Sequence, residues 1–150
     1  MKRLSIITTS LMFLVLSSAL FAQHENITGL WKTIDDETGK PKSVVKIYIK
    51  DGKLYGDIVK LFRTPEEDQD PICDKCADDD PRKNKKIIGM TIINDMVFDD
   101  GEWEDGEILD PKKGKTYDCK LWVENGKLQV RGYIAFFYRT QEWLRFEGEI

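Results

Sequence analysis

Three cysteines are the residues of this chain best suited to chemistry: Cys73 and Cys76 form a CxxC pair, and Cys119 stands apart. A CxxC pair can close a disulfide, bind a metal ion or act in thiol redox exchange. Redox exchange needs a lowered thiol pKa, and nearby negative charge has the opposite effect. Because acidic residues surround the pair, a disulfide is favoured. A metal site formed by all three cysteines stays open as an alternative.

The composition lacks the residues that several other catalytic chemistries need. His24 is the only histidine, and Ser43 is the only serine beyond residue 18. A Ser-His-Asp triad and a multi-histidine zinc site are therefore almost excluded. The acidic stretch 63–86 has no EF-hand pattern and no glycine, so a solvated loop is favoured over a calcium site. We predict no catalytic residue and no cofactor, and the composition favours a protein that is not an enzyme.

The N-terminus has the pattern of a secretory signal peptide. Met1 to Arg3 is basic, Leu4 to Phe21 carries no charge, and small residues occupy positions 17, 18, 19 and 22. That order is typical of a cleaved export signal. We predict a signal peptide over residues 1–22, with cleavage near Ala22 or alternatively at Ala19, and a periplasmic or secreted location. A retained membrane anchor is the alternative, although several Ser and Thr residues dilute its apolar character.

The remaining residues, 23–150, have the length of one domain. Removal of Lys2 and Arg3 with the signal leaves 21 basic and 27 acidic residues, a net charge of −6. An acidic domain repels phosphate backbones, so we expect no nucleic-acid partner. No second apolar stretch has membrane length, and we expect no membrane span after signal cleavage. Export also places the CxxC pair in a compartment that permits disulfides.

Two hairpins are predicted from two-residue turns between β-prone runs. Asp51-Gly52 joins residues 43–50 to 53–62, and Asn125-Gly126 joins residues 116–124 to 127–134. The turns imply a register in which apolar residues face one another on one side of each hairpin. The expected pairs are Lys50 with Lys53, Ile49 with Leu54, Ile47 with Gly56 and Val45 with Ile58 in the first hairpin, and Val123 with Leu128, Leu121 with Val130, Cys119 with Gly132 and Tyr117 with Ile134 in the second.

Further strands are predicted over residues 29–35, 87–98, 103–109 and 140–146. About eight antiparallel strands with short turns favour an all-β, calycin-like up-and-down barrel, with an open β-sandwich as the alternative. The loop 63–86, which holds the CxxC pair, interrupts this pattern. The chain is rich in aromatics, which either line a ligand cavity or form an ordinary core. The aromatic residues in question are Trp31, Trp103, Trp122, Trp143, Tyr117 and Tyr133.

The order of several short blocks resembles the secreted bacterial family known as domain of unknown function 2147 (DUF2147). The blocks are Gly29-Leu30-Trp31, Ile88-Gly89-Met90, Trp103, Gly106 to Pro111, Gly114 to Tyr117, Val130 to Tyr133 and Arg139 to Arg145. The likeness covers nearly all of residues 23–150. Tyr138 departs from the glycine expected before Arg139. The family has no established activity, so the resemblance implies a type of protein without supplying a function.

Gly29-Leu30-Trp31 is also similar to the first strand of lipocalin and fatty-acid-binding barrels. In those folds an arginine of the last strand covers this tryptophan, a cation–π contact. The resemblance implies that role for Arg145, with Arg139 as the second candidate. The residues predicted to bind ligand or to close the barrel are therefore Trp31, Tyr117, Trp143, Arg139 and Arg145.

Three functions remain open at this point. The first is a non-catalytic binding protein for a small, partly apolar ligand inside the barrel. The second is a structural or envelope-stress interaction module that acts through its surface, with an unknown protein partner. The third is a thiol redox or metal protein that uses Cys73 and Cys76, with Cys119 as a further ligand.

Overall fold

Eight antiparallel strands close into a barrel in the order in which they occur along the chain. The computed structural model describes residues 27–150, so the predicted signal peptide and His24 lie outside the described residues. The strands are β1 (Gly29–Ile34), β2 (Pro41–Lys50), β3 (Lys53–Leu61), β4 (Thr91–Asp99), β5 (Glu102–Asp110), β6 (Lys115–Glu124), β7 (Lys127–Ile134) and β8 (Phe137–Arg145). The predicted up-and-down barrel is confirmed, and the open sandwich is wrong.

The two predicted hairpins have the registers that their turns imply. In β2 and β3, Lys50 pairs with Lys53 and Val45 with Ile58. In β6 and β7, Val123 pairs with Leu128. Asp51 and Asn125 each adopt a positive φ and are followed by a glycine that does the same. A two-residue turn of this kind matches the twist of the paired strands, which is why these dipeptides fix the register.

Two strand boundaries differ from the prediction by three residues or more. Strand β4 begins at Thr91 instead of Ile87, because residues 87–90 form a turn in which Gly89 has a φ of 87° and its amide bonds to the Ile58 carbonyl at 2.7 Å. Strand β8 begins at Phe137 instead of residue 140, because the β7–β8 hairpin continues to its tip. There, Ile134 pairs with Phe137. Apolar character alone did not separate strand from turn at either place.

The interior is apolar. Two facing bulges, one in β4 and one in β5, bring the backbones of these strands close together. Asp95 in β4 and Asp105 in β5 both have positive φ. The bulges bring the β4 backbone against Gly106, where an added Cβ would lie 2.8 Å from the Met96 amide nitrogen and would also overlap the Asn94 carbonyl. Only glycine fits at position 106 without moving one of the two strands.

One end of the barrel, where β1, β3, β5 and β7 finish, is open and is called the mouth. At the opposite end, Trp31 is completely buried and its indole nitrogen donates to the Ile27 carbonyl at 2.7 Å. The Arg145 guanidinium lies 3.8 Å from the centre of the Trp31 ring and donates to the Thr28 carbonyl at 2.7 Å. These contacts fasten β1 to β8 at the end away from the mouth.

Residues 62–90, between β3 and β4, pack against the outside of the barrel near the mouth. Cys73 and Cys76 form a disulfide, and both are buried in the hydrophobic cluster. The Cys73 amide bonds to the Lys85 carbonyl at 2.9 Å, so the two halves of the segment pair with each other. Most of the carboxylates of this stretch are exposed, as expected of an acidic loop. The predicted disulfide is confirmed, and the buried cysteines anchor the loop.

Arg82 ties the same segment to the barrel. Its guanidinium bonds to Asp80 at 2.7 Å and to the Thr116 hydroxyl of β6 at 3.3 Å. The hydrogen bond from Arg82 lowers the pKa of the Asp80 carboxyl, which keeps this pair charged. Within residues 27–150, no helix has the length and hydropathy needed to cross a membrane.

Candidate functional site

The mouth of the barrel holds a cavity of about 220 Å³. A cavity of about 150 Å³ is large enough for benzene, so a small organic molecule fits in this space. Below the rim of the mouth, the wall of the cavity is mainly apolar. Residues of all eight strands contribute to the cavity lining. Its apolar side chains include Ile58, Ile92, Ile108, Val130 and Trp143.

Two polar groups interrupt the apolar wall. The Thr33 and Ser43 hydroxyls lie 2.7 Å apart, and the Ser43 amide donates to the Thr33 hydroxyl at 3.0 Å. In a second polar contact of the wall, the Trp143 indole nitrogen donates to the Gln141 side-chain oxygen at 3.2 Å. Buried polar groups with such partners cost little, and they offer a ligand a few fixed donors and acceptors.

Ion pairs cross the rim of the mouth. Lys112, in the β5–β6 loop, lies 3.7 Å from both Asp35 and Glu37 in the β1–β2 loop, and Lys42 lies 3.7 Å from Asp110. Hydrogen bonds from the Thr38 amide and hydroxyl hold the pKa of Asp35 below its ordinary value. The rim therefore presents fixed charges of both signs above an apolar floor.

The seam between β1 and β8 is closed near the mouth by side chains. The two strands pair only at Trp31 with Arg145 and at Lys32 with Leu144. Closer to the mouth, Asp36 accepts hydrogen bonds from Arg139 at 2.8 Å and from the Gln141 side-chain amide. This contact continues through Gln141 to Trp143, so the seam and the cavity wall share one polar network.

The predicted site residues fall into two groups. Tyr117, Trp143 and Arg139 line the cavity. Trp31 and Arg145 lie at the opposite end, where their cation–π contact fastens the barrel. The structure therefore does not bring the five residues into one site. The polar residues Thr33, Ser43, Asp36 and Gln141 were not singled out from the sequence.

The cysteines do not form a common site. Cys119 is a buried free thiol in β6, with its sulfur 3.5 Å from that of Met96, whereas Cys73 and Cys76 are bonded to each other. Burial, with a smaller contribution from Asp118, raises the pKa of the Cys119 thiol to about 12. The part of the chain that the structure describes contains no cluster of three His, Cys, Asp or Glu side chains suited to a metal ion.

We predict that Cys119 resists alkylation in the folded protein. The thiolate is the reactive form, and with a pKa of about 12 it is almost absent at mildly alkaline pH. Iodoacetamide should therefore add nothing to the native protein, one adduct after unfolding, and three after unfolding with reductant. Intact-mass measurement gives the count. Two or more adducts on the unfolded, unreduced protein would show that the Cys73–Cys76 disulfide is absent.

Comparisons with known proteins agree with this geometry. Residues 29–145 match the family described as an uncharacterized protein conserved in bacteria (DUF2147). A comparison with curated proteins finds no match. Among solved structures, the chain resembles the Helicobacter pylori protein HP1028, described as belonging to the lipocalin family, with a TM-score of 0.66 and 18% sequence identity over 81% of this chain and 83% of that chain. The chain therefore belongs to the DUF2147 family, and its barrel has a lipocalin-like fold.

Proposed function

We propose that this protein is an exported binding protein that takes a small, partly apolar ligand into the mouth of its barrel. The observation that carries the proposal is the cavity of about 220 Å³, which is apolar below and charged at its rim. A close-packed barrel of this size fills its interior with its own side chains, so a cavity confined to one end is informative. Export rests on the predicted signal peptide and accords with the buried disulfide.

The lining indicates the chemistry of the ligand. An apolar body would pack against Ile92, Val130 and Trp143, whose burial favours hydrocarbon or aromatic groups. A polar end would meet the rim, where Arg139 and Lys112 offer donors and Asp36 offers an acceptor. The charges at the rim include both signs, so the site suits an uncharged or zwitterionic polar group better than a strongly charged one.

The tryptophans allow binding to be located by NMR. Trp143 lines the cavity, whereas Trp31 lies at the opposite end and Trp122 stacks outside the barrel under Arg131. Titration with benzyl alcohol or hexanol should shift the Trp143 indole signal and leave the Trp31 and Trp122 signals in place. Equal shifts of all three signals, or none at Trp143, would count against a ligand site in the mouth.

A cavity-filling substitution provides the matched control. Val130 lines the cavity and is buried, whereas Val97 is exposed on the outside of β4. Val130→Phe places a ring in the cavity and should abolish the Trp143 response, at a stability cost of about 1–3 kcal/mol. Val97→Phe adds the same volume outside and should leave the response unchanged. If the two variants bind the alcohols equally, the probes occupy another place.

A further inference from the structure

The tip of the β7–β8 hairpin is apolar and exposed. The aromatic tip, residues 134–138, has exposed fractions of 59% at Ile134, 99% at Phe136, 76% at Phe137 and 63% at Tyr138. Side chains that are this exposed bury little apolar surface, so they contribute little to the stability of the fold. Contiguous exposed apolar groups of this kind mark a surface that contacts another partner or a membrane.

The turn itself indicates that these residues serve something other than folding. The β2–β3 and β6–β7 hairpins turn at Asp51-Gly52 and Asn125-Gly126, residues that tolerate positive φ. Here, Ala135 adopts a φ of 51° and Phe136 follows it. Alanine is disfavoured in the left-handed region, so the chain uses a poorer turn residue and displays a phenylalanine beside it.

One arginine of the hairpin, Arg131, is suited to contact an anionic surface. Lys127 pairs with Glu142 at 2.6 Å and Arg139 with Asp36 at 2.8 Å, whereas Arg131 takes part in no ion pair among the described residues. Arg131 lies 4.4 Å from the centre of the Tyr138 ring, so a cation is held directly behind the tip. Lys113 is exposed at the same end, on the far side of the mouth, whereas Lys112 is paired with Asp35 and Glu37.

The shape of the tip favours a bilayer as its partner. A two-residue turn is convex and narrow, and its aromatic side chains project beyond the barrel without forming a groove. Aromatic rings sit well at the headgroup level of a membrane, and arginines beside them can reach the phosphates while their stems stay in apolar surroundings. We propose that the aromatic tip inserts into the surface of an anionic phospholipid bilayer and presents the barrel mouth to the lipid.

The test is co-sedimentation with vesicles made of equal parts phosphatidylglycerol and phosphatidylethanolamine. The wild-type protein should sediment with these vesicles, and added salt should weaken the binding because it screens the arginines. The double substitution Phe136→Ser with Phe137→Ser should lower the partition coefficient at least about tenfold. Ile49→Ser with Val97→Ser removes two exposed apolar side chains elsewhere and should have no effect. Wild-type protein that stays in the supernatant, or a tip variant that sediments like wild type, would overturn the proposal.

Two further measurements identify the partner. In Phe136→Trp, lipids brominated in the acyl chains should quench the fluorescence of the added tryptophan, whereas unquenched fluorescence would contradict insertion. Sedimentation velocity without vesicles tests a second copy of the chain as the partner. A concentration-dependent dimer that the tip variant abolishes would assign the tip to self-association and overturn the membrane proposal. Val130→Phe should still bind vesicles, so this result is independent of the ligand site.

Discussion

Replacing Trp31 by alanine is expected to lower the free energy of unfolding by about 3–5 kcal/mol, as truncation of a buried aromatic residue does. The side chain is completely buried, its indole nitrogen satisfies the Ile27 carbonyl, and its ring lies under the Arg145 guanidinium. Alanine would leave a cavity, an unsatisfied buried carbonyl and an arginine without its aromatic partner. Small domains have about 5–15 kcal/mol of stability, so much of the native population would be lost. Urea unfolding followed by fluorescence measures the change.

Trp122 supplies the matched control for this prediction. It also stacks with an arginine, Arg131, at 4.8 Å, but it is half-buried on the outer face of the barrel. Trp122→Ala should cost much less than Trp31→Ala, because it leaves no internal cavity. Trp31→Phe should be intermediate, since it keeps a ring but loses the hydrogen bond to Ile27. If Trp31→Ala and Trp122→Ala were equally destabilising, Trp31 would not be the residue that fastens this end of the barrel.

Gly114→Ala is expected to destabilise the protein by about 3 kcal/mol or more, through backbone strain together with a steric clash. Gly114 has a φ of 65°, and a Cβ at this position would lie 2.7 Å from the Cys76 amide nitrogen and would overlap the Lys75 carbonyl. The clash is with backbone, so the disulfide turn would have to move away from the β5–β6 loop. We expect the Cys73–Cys76 bond to become accessible to dithiothreitol as well.

Gly39 separates the two causes. Its φ is 68°, nearly that of Gly114, but an added Cβ meets nothing within 4 Å. Gly39→Ala should therefore show the conformational cost alone, about 1 kcal/mol, and leave the disulfide protected. Urea unfolding and the rate of disulfide reduction are measured on both variants. Equal effects of the two substitutions would mean that the disulfide turn does not depend on its packing against Gly114.

Most of the fold was predicted from local signals, and what the sequence did not predict depends on contacts between distant segments. Asp51-Gly52 and Asn125-Gly126 fixed two registers because the backbone conformation of such turns depends on few residues. The start of β4 was misplaced because Ile87 and Ile88 look like strand residues, whereas the hydrogen bond from Gly89 to Ile58 that turns the chain there is tertiary. The docking of the CxxC loop on Gly114 is likewise a contact between distant segments.

Only part of the candidate site could be predicted from the sequence. Trp143 and Tyr117 stood out as aromatics, whereas Arg139 was predicted only as the second candidate to cover Trp31, a role that Arg145 has. Asp36 and Gln141 lie 105 positions apart in the sequence and meet only because the barrel closes. The ion pairs of Lys112 with Asp35 and Glu37 also form only because the barrel closes and brings two loops together. In the sequence alone, these charged loop residues cannot be told from ordinary solvated ones.

The ligand-binding proposal is tested most directly by native mass spectrometry of the protein recovered from cells that express it with its predicted signal peptide. We predict a mass above that of the chain, because a bound small molecule adds to it until unfolding releases that molecule. The excess should be absent from Val130→Phe and retained in Val97→Phe. Wild-type protein at the mass of the chain alone, or an excess mass that Val130→Phe retains, would contradict a ligand site in the mouth of the barrel.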